Sequence, residues 1–496
     1  MRDLVMRSSG ILLPITALSS KYGIGCFSKE AFTFVDMLKK ARQKYWQILP
    51  LGPVGKGNSP YQSFSTYAGN PYLIDLEALI TEGLLTYAEC DKFIYSEDHS
   101  KVDYPLVYEA RKILFRKAYE RFIPTDDFTI FTHENDYWLE DYALYMALKE
   151  ANDGKGWTMW EEGIRTRRQG ALQSAREELA EELQYYRFQQ YKFYQQWNRL
   201  KAYANKAGIE IIGDVPIYVA FDSADTWANP LLFQFNENNE PLAIAGCPPD
   251  GFSATGQLWE NPLYSWEYHR ETGFKWWISR MKHTFKLYDV VRIDHFRGFE
   301  SYYSIPYGDK TAEFGHWEIG PGIELFNTLE EQLGKMKVIA EDLGLLTAAV
   351  RQLVADTGYP NMKVIEFAFD ADSECEYLPH NYHSNCFVYT GTHDNDTLVG
   401  WIKTMNKQTR EFSDEYLHLA DMRVEDKAWA FIRAVLSSVA DGAVIPMQDY
   451  LGLDSNARMN KPSTVGNNWE WRLQSGQIKS DLLNKIKNMT VLYGRC

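Results

Sequence analysis

Four acidic residues follow short apolar runs of this sequence, at positions where a strand would end. They are Asp214 in IIGDVPIYV, Asp294 in VVRIDHFRGF, Glu341 in VIAEDLG and Asp394 in YTGTHDNDT. Carboxyl groups at the ends of strands can act as nucleophiles, general acids or general bases. The sequence has no phosphate-binding G-x-x-x-x-G-K-[ST] loop, no G-x-S-x-G elbow and no dinucleotide fingerprint. Chemistry that needs only carboxyl groups remains, and cleavage of glycosidic bonds is the leading case.

The VVRIDHFRGF and VIAEDLG motifs each have a structural explanation as well as a chemical one. Arg292 and Asp294 are two residues apart and share one face of a strand. This arrangement would hold Asp294 ionised as a nucleophile, or it would form an ordinary ion pair inside a barrel. Glu341 follows apolar residues that would raise its pKa and favour a general acid. Taken alone, the acidic pair that it begins is more typical of a helix N-cap.

The YTGTHDNDT segment is open to the same two interpretations. His393 and Asp394 leave the strand together and could bind two adjacent sugar hydroxyls. The segment could instead be a cluster of helix-capping residues, for which Asp396 is the strongest candidate. Because all these motifs lie at the same end of their strands, where barrel enzymes place their active sites, we expect one shared site.

The elements that would position these residues alternate between strands and helices. Continuous apolar runs of the kind found in buried parallel strands occupy residues 10–18, 45–51, 209–218, 289–296, 337–343, 363–369, 386–393 and 443–449. Helical patterns lie between most of them, most clearly at 107–122 and 425–440. This alternation predicts an α/β fold, a (β/α)8 TIM barrel.

The unequal spacing of the runs predicts large insertions in a single barrel domain that spans residues 1–496. A helix-rich insertion is expected at about 55–205, with 171–206 as one long amphipathic helix because no Gly or Pro interrupts it. A loop-rich insertion that covers the site is expected at about 220–285. The residues after the eighth run are too few for a C-terminal β-sandwich domain, so none is expected.

The composition of the sequence argues against some classes of binding partner and indicates a cell compartment. The net charge is −15, from 52 basic and 67 acidic residues, which argues against nucleic acid and anionic membranes as partners. No apolar run has the 18 or more residues of a membrane span. The start of the sequence lacks the pattern of a signal peptide, and the six scattered cysteines form no C-x-x-C. We therefore expect a cytoplasmic protein with reduced thiols.

The order R-x-D, E-D-L-G and T-H-D-N-D-T resembles the signature regions of the α-amylase clan. More specifically, the chain resembles the amylomaltase or 4-α-glucanotransferase family, glycoside hydrolase family 77, also called disproportionating enzymes. The likeness runs through nearly the whole chain and includes GILLPITALSSKYGIG, LPLGPVGKGNSPYQSFSTYAGNPYLIDL, GDVPIYVAFDSADTW, PPDGFSATGQLWENPLY, QDYLGL and RMNKPSTVGNNWEWR.

The resemblance implies a role for each site residue. Asp294 would be the nucleophile that forms a covalent β-glycosyl intermediate, Glu341 the general acid and then base, and Asp394 the carboxylate that orients the distorted sugar. The residues expected to bind sugar are Tyr61, Asp214, Arg292 and His393 in the donor subsite, with Asp250, Phe252, Gln257 and Trp259 from the 246–264 loop. A retaining pair of carboxyl groups should stand about 5–5.5 Å apart. Neither a metal nor an organic cofactor is expected.

Two departures from ordinary α-amylases favour transfer over hydrolysis. Val219 occupies the position at which those enzymes have a histidine, and the usual C-terminal sandwich is missing. The 246–264 and 458–469 loops would cover the site and limit the access of water. The expected reaction moves α-1,4-glucan segments between maltooligosaccharides, which serve as donor and acceptor, and releases glucose. The alternatives are an α-1,4-glucan hydrolase and a glucan-binding protein without activity; the enzyme is expected to be a monomer or a homodimer.

Overall fold

A closed barrel of eight parallel strands forms the centre of the molecule, as predicted. The computed structural model describes residues 7–249, 253–344, 346–369 and 373–496. Its strands are β1 (Ser8–Leu12), β2 (Tyr45–Gln47), β3 (Glu210–Pro216), β4 (Ala243–Cys247), β5 (Gln257–Pro262), β6 (Val290–Asp294), β7 (Ser301–Pro306), β8 (His316–Ile319), β9 (Val338–Ala340), β10 (Asn361–Val364), β11 (Cys386–Tyr389) and β12 (Gly442–Pro446). The barrel order is β1-β12-β11-β10-β9-β6-β3-β2, so each predicted run supplies one barrel strand.

Burial on both faces explains why the barrel strands read as continuous apolar runs. All residues of β11 and β12 are buried, as expected for a parallel sheet with helices outside it. The barrel interior contains one cluster of buried side chains, namely Leu12, Ile212, Val290, Ile339, Met362, Val364, Phe387, Tyr389 and Val444. Gly213 of β3 is required by packing, because a Cβ there would lie 2.1 Å from the ring of Tyr288.

Helices surround the barrel and fill the longer connections between its strands. They are α1 (Lys29–Lys40), α2 (Leu76–Thr81), α3 (Tyr87–Cys90), α4 (Tyr104–Glu120), α5 (Asp126–Glu134), α6 (Asp136–Ala151), α7 (Glu162–Arg165), α8 (Gln169–Glu178), α9 (Ala180–Lys206), α10 (Ala224–Ala228), α11 (Trp266–Glu271), α12 (Lys275–Leu287), α13 (Ile323–Leu333), α14 (Ala348–Thr357), α15 (Leu398–Thr404), α16 (Lys407–Leu417), α17 (Val424–Ser437), α18 (Met447–Leu451) and α19 (Ser480–Leu492). The helices predicted at 107–122 and 425–440 correspond to α4 and α17. None of the helices described here is long and apolar enough to cross a membrane.

The prediction of one helix over 171–206 was wrong at one point. The backbone turns at Leu179 (φ −102°, ψ 23°) and separates α8 from the 27-residue α9. The hydrogen bond from the Leu179 N–H to the Ala175 carbonyl continues the helical pattern up to the turn. No Gly or Pro marks the break, so a sequence reading that relies on these residues cannot detect it.

A second, antiparallel sheet with the order β5-β4-β7-β8 lies outside the barrel. Its strands come from the connection between β3 and β6 and from the connection between β6 and β9. The 220–285 segment, expected to be rich in loops, therefore contains β4, β5 and helices α10 to α12. One side of the sheet buries Ile244, Tyr303, Ile305 and Ala312. Strand β5 of this sheet carries Gln257 and Trp259, two of the residues expected to bind sugar.

Candidate active site

The carboxyl ends of neighbouring barrel strands bring the predicted acidic residues to one end of the barrel. Asp214 lies on β3, Asp294 ends β6 and Glu341 directly follows β9. Strands β3 and β6 pair residue by residue from Ile212 with Val290 to Pro216 with Asp294, and β6 pairs with β9 on its other side. This end of a (β/α)8 barrel is the one that carries active sites in barrel enzymes.

Arg292 links two of these carboxylates. Its Nη1 donates to both oxygens of Asp214, at 2.8 and 2.7 Å, and its Nη2 lies 3.0 Å from Oδ1 of Asp294. The side chain of Asp214 is fully buried, whereas that of Asp294 is 29% exposed. Asp214 thus forms the buried structural ion pair, and Asp294 shares the same cation while it remains open to the cleft.

Glu341 is held by backbone groups on both sides. The His295 N–H donates to Oε2 at 2.6 Å and the Leu343 N–H donates to Oε1 at 2.9 Å. Burial raises the pKa of Glu341 to about 7; the charge of Arg292 and these two N–H groups oppose the rise. Glu341 caps no helix, because the following helix, α14, has Thr347 as its N-cap.

Of the two carboxyl groups Asp294 and Glu341, Glu341 has the higher pKa and keeps its proton to the higher pH. Burial also raises the pKa of Asp294, to about 6, and the adjacent Arg292 limits that rise. Arg292 itself stays charged, since Asp214 and Asp294 outweigh the effect of burial and raise its pKa well above the ordinary value. One ionised and one protonated carboxyl group near neutral pH is the division that acid-assisted nucleophilic displacement requires.

Asp394 is kept ionised by a different set of neighbours. Burial would raise its pKa, but the His393 ring and the Asn460 amide lower it to about 2. His393 Nε2 lies 3.3 Å from Oδ2 of Asp394, and Asn460 Nδ2 donates to Oδ1 at 2.6 Å. Arg458 donates to the Asp394 carbonyl at 2.6 Å. Sequence reasoning missed Arg458 and Asn460 as site residues, although both belong to the RMNKPSTVGNNWEWR motif.

Aromatic rings line the side of the site near His393. The Tyr61 hydroxyl donates to Oδ2 of Asp214 at 2.7 Å, and its ring stacks on His393 with centroids 5.1 Å apart. Trp469 lies 5.9 Å from both of these rings and is almost fully buried. Its backbone is left-handed (φ 66°), an uncommon conformation for a bulky residue. Trp469 is a further residue that the sequence reasoning did not single out.

The second sheet brings Gln257 and Trp259 to the other side of the site. Trp259 Nε1 donates to Oε1 of Gln257 at 3.1 Å, and the Trp259 ring meets the His295 ring edge to face at 4.7 Å. These contacts place β5 beside the residue that follows Asp294. Asp250 and Phe252, predicted to bind sugar from the same loop, lie outside the described residues.

The prediction that Asp396 caps a helix was wrong. The N-cap of α15 is Thr397, whose side chain accepts from the Gly400 N–H at 3.2 Å. Asp396 instead accepts a hydrogen bond from the Ser455 hydroxyl at 2.7 Å. Within the described part of the chain, no group of three His, Cys, Asp or Glu side chains has an arrangement that could hold a metal ion.

A family model described as 4-alpha-glucanotransferase matches residues 13–479, most of the chain. The chain belongs to the 4-α-glucanotransferase family. Curated members of this 4-α-glucanotransferase family include an enzyme from Clostridium butyricum, 48% identical over 97% of this chain and 99% of its own length. The Thermus thermophilus enzyme is 45% identical, over 97% of this chain and 98% of its own. The resemblance stated from the motifs is confirmed.

Solved structures agree with the family assignment. An amylomaltase from Streptococcus agalactiae, determined in complex with acarbose, has a TM-score of 0.96 and 40% sequence identity and covers 99% of both chains. The barrel and its additions are therefore shared with a solved amylomaltase.

Among the curated relatives, a chloroplastic 4-α-glucanotransferase from Arabidopsis thaliana is 39% identical over 99% of this chain and 86% of its own length. These relatives are named for glucan transfer, so hydrolysis is not favoured.

Proposed function

We propose that Asp294, Glu341 and Asp394 carry out the glucan transfer of this family by a retaining double displacement. Donor and acceptor are α-1,4-glucans or maltooligosaccharides. One arrangement supports the proposal. Asp294 and Glu341 lie at the ends of two adjacent strands, β6 and β9. Asp294 forms an ion pair with Arg292, and Glu341 has the higher pKa. Such a pair supplies a nucleophile and an acid at the same pH. Their separation, expected to be about 5–5.5 Å, remains a prediction.

The first half-reaction forms a covalent intermediate. An oxygen of the Asp294 carboxylate attacks C1 of the donor sugar while the bond from C1 to the glycosidic oxygen breaks. That oxygen takes the proton of Glu341 and leaves as the 4-hydroxyl of the released sugar. The site then contains a β-glycosyl ester on Asp294 and an ionised Glu341.

The second half-reaction returns the enzyme to its starting state. Glu341, now a base, takes the proton of an acceptor 4-hydroxyl, whose oxygen attacks C1. The ester bond to Asp294 breaks and its electron pair returns to the carboxylate. Two inversions at C1 restore the α-configuration, and the new α-1,4 bond replaces the one that was cleaved.

Asp394 and His393 serve the transition state in this scheme. Asp394 remains ionised because its pKa is about 2, so it can accept hydrogen bonds from sugar hydroxyls that strengthen as positive charge develops at C1. Tyr61 and Asp214 line the same donor subsite. The Tyr61 hydroxyl donates a hydrogen bond to Asp214 at 2.7 Å. In this assignment the two carboxylates have separate roles: Asp294 displaces the leaving group, and Asp394 orients the sugar.

The acceptor side is proposed to lie along β5. Gln257 and Trp259 are only partly buried there, and a flat ring with an amide beside it can contact the face and hydroxyls of a sugar. Asp250 and Phe252 of the same loop are proposed to bind sugar as well. Enclosure of the site by this loop and by the 458–469 loop would favour a sugar hydroxyl over water.

The proposal also includes the organisation of the molecule. We take residues 1–496 as a single barrel domain, with insertions at about 55–205 and 220–285. The enzyme is proposed to be cytoplasmic and to act as a monomer or a homodimer. Buried thiols at Cys26, Cys90 and Cys386 are consistent with a reducing compartment.

Incubation with pure maltotriose tests the proposed function. Transfer yields glucose together with a series of oligomers longer than maltotriose, while the total number of reducing ends stays constant. The products can be followed by chromatography, with a reducing-end assay on the same samples. Glucose and maltose alone, with a matching gain of reducing ends, would indicate a hydrolase instead. No turnover at all would indicate a glucan-binding protein.

A further inference from the structure

His295, the residue directly after the proposed nucleophile, has an unusual backbone. Its conformation is left-handed (φ 56°, ψ 47°), which is uncommon outside glycine and persists only where the surroundings enforce it. The enforcing contacts come from Glu341: the His295 N–H donates to Oε2 at 2.6 Å, and the Phe296 N–H donates to the Glu341 carbonyl at 3.0 Å. The turn after the nucleophile is thus fixed to the proposed acid.

The imidazole ring of His295 packs against two aromatic side chains. It meets Trp259 edge to face at 4.7 Å and lies 6.3 Å from Tyr218. Its Nε2 is buried without a hydrogen-bond partner among the residues that the structure describes. Burial, with a smaller contribution from Arg297, lowers the pKa of His295 to about 3, so the ring is neutral. A buried unpaired ring nitrogen is uncommon, and Trp259 is the nearest aromatic ring that packs against this one.

We propose that His295 is a positioning residue that couples Glu341 to the acceptor side of the cleft. The coupling runs through three contacts: from Glu341 to the His295 N–H, from the His295 ring to Trp259, and from Trp259 to Gln257 at 3.1 Å. The proposal rests on the proposed function, because it takes Glu341 as the base that activates an acceptor hydroxyl. A sugar held against Trp259 on β5 then meets Glu341 in a fixed orientation. Water needs the same base but does not need the contact with Trp259.

Two substitutions separate the ring from the backbone. His295→Gly keeps the N–H to Glu341 and adopts the left-handed backbone freely, but it removes the ring. His295→Asn also tolerates this backbone and keeps a polar side chain. His418→Gly is the matched control, because His418 is likewise left-handed (φ 54°) but ends helix α16.

The decisive readout is the ratio of transfer to hydrolysis with maltotriose as donor and labelled glucose as acceptor. Loss of one edge-to-face aromatic contact is expected to lower this ratio by about three- to tenfold in His295→Gly and in His295→Asn. KM for the acceptor should rise more than kcat falls. The basic limb of the pH profile should stay in place in both variants, because both keep the backbone N–H that donates to Glu341.

The control and the wild type decide how a negative result is understood. His418→Gly should keep the wild-type ratio and pH profile. An unchanged ratio in either folded His295 variant, or an equal fall in His418→Gly, overturns the proposal. If His295→Gly fails to fold, as circular dichroism would show, His295→Asn alone carries the test. Failure of the proposed function is seen separately, as a wild-type enzyme that hydrolyses maltotriose without transfer.

Discussion

Replacement of Asn460 by alanine tests whether the 458–469 loop holds Asp394 in its working orientation. Asn460 Nδ2 donates to Oδ1 of Asp394 at 2.6 Å, and it is one of the groups that lower the pKa of this carboxylate. The substitution leaves the His393 contact in place, so Asp394 stays ionised near neutral pH. What is lost is one charge-assisted bond that fixes the direction of the carboxylate.

The size of the effect follows from the kind of bond and its exposure. A hydrogen bond to a charged group contributes about 1.5–3 kcal/mol. The Asp394 side chain is 43% exposed, so water replaces part of the lost interaction and the lower end of this range applies. About 1.5 kcal/mol corresponds to a roughly tenfold loss of kcat/KM. The loss should fall mainly on kcat, because the contacts of Asp394 are proposed to strengthen in the transition state.

The assay measures initial rates of glucose release from maltotriose, and the control lies in the same loop. Asn468 accepts from the Lys461 N–H at 2.9 Å and donates to the Thr464 carbonyl at 3.1 Å. Asn468→Ala therefore loosens the loop without removing the bond to Asp394, and it should lower kcat/KM by less than Asn460→Ala does. Equal losses in both variants would refute the reasoning, as would an Asn460→Ala enzyme with wild-type activity.

Three further outcomes are expected. Asp294→Asn should abolish turnover without changing the circular dichroism spectrum, and substantial residual activity would contradict its role as nucleophile. The pH profile of kcat/KM should be bell-shaped: activity falls below about pH 6 as Asp294 is protonated and above about pH 7 as Glu341 loses its proton. Limbs more than two units away from these values would contradict the assignment. Trp197→Ala, at a fully buried ring that packs on Phe27 and donates to the Leu287 carbonyl at 3.2 Å, should lower the free energy of unfolding by about 3–5 kcal/mol. Chemical denaturation measures this loss, and a value below about 1 kcal/mol would show that α9 is not packed as described.

The barrel could be predicted from the sequence because its strands are buried on both faces. The predicted runs 289–296 and 443–449 contain no solvent-facing alternation, and each overlaps a strand, β6 or β12, that ends two or three residues earlier than the run. The second sheet could not be predicted in the same way. Strand β5 (QLWENP) is partly exposed and β8 (HWEI) largely so. The central pairing of the sheet, β4 with β7, joins segments that lie on either side of barrel strand β6 in the chain.

From the residues alone, the site could be predicted only where strand position determines the direction of a side chain; Tyr61, Gln257 and Trp259 were predicted from the family resemblance. Asp214, Arg292 and Asp294 follow from the register of two adjacent strands. Asn460 is 66 residues from Asp394 along the chain, and its amide reaches the carboxylate through a loop whose path no local pattern indicates. The same holds for Trp469, whose left-handed backbone is set by tertiary contacts such as the hydrogen bond from the Tyr104 hydroxyl to its carbonyl.

In the proposed mechanism, the position of Arg292 lets one site serve both half-reactions. Before the first displacement, the negative charge next to this cation is on Asp294, at 3.0 Å. After it, Asp294 is a neutral ester and Glu341 carries the charge, which Arg292 also stabilises. Asp214 and Asp394 take no part in the proton transfer, so the net charge of the site is the same in both states. Because no charge has to enter or leave a buried site, neither step requires bulk water to reorganise. The choice between sugar and water is then left to the acceptor side, where His295 and Trp259 meet.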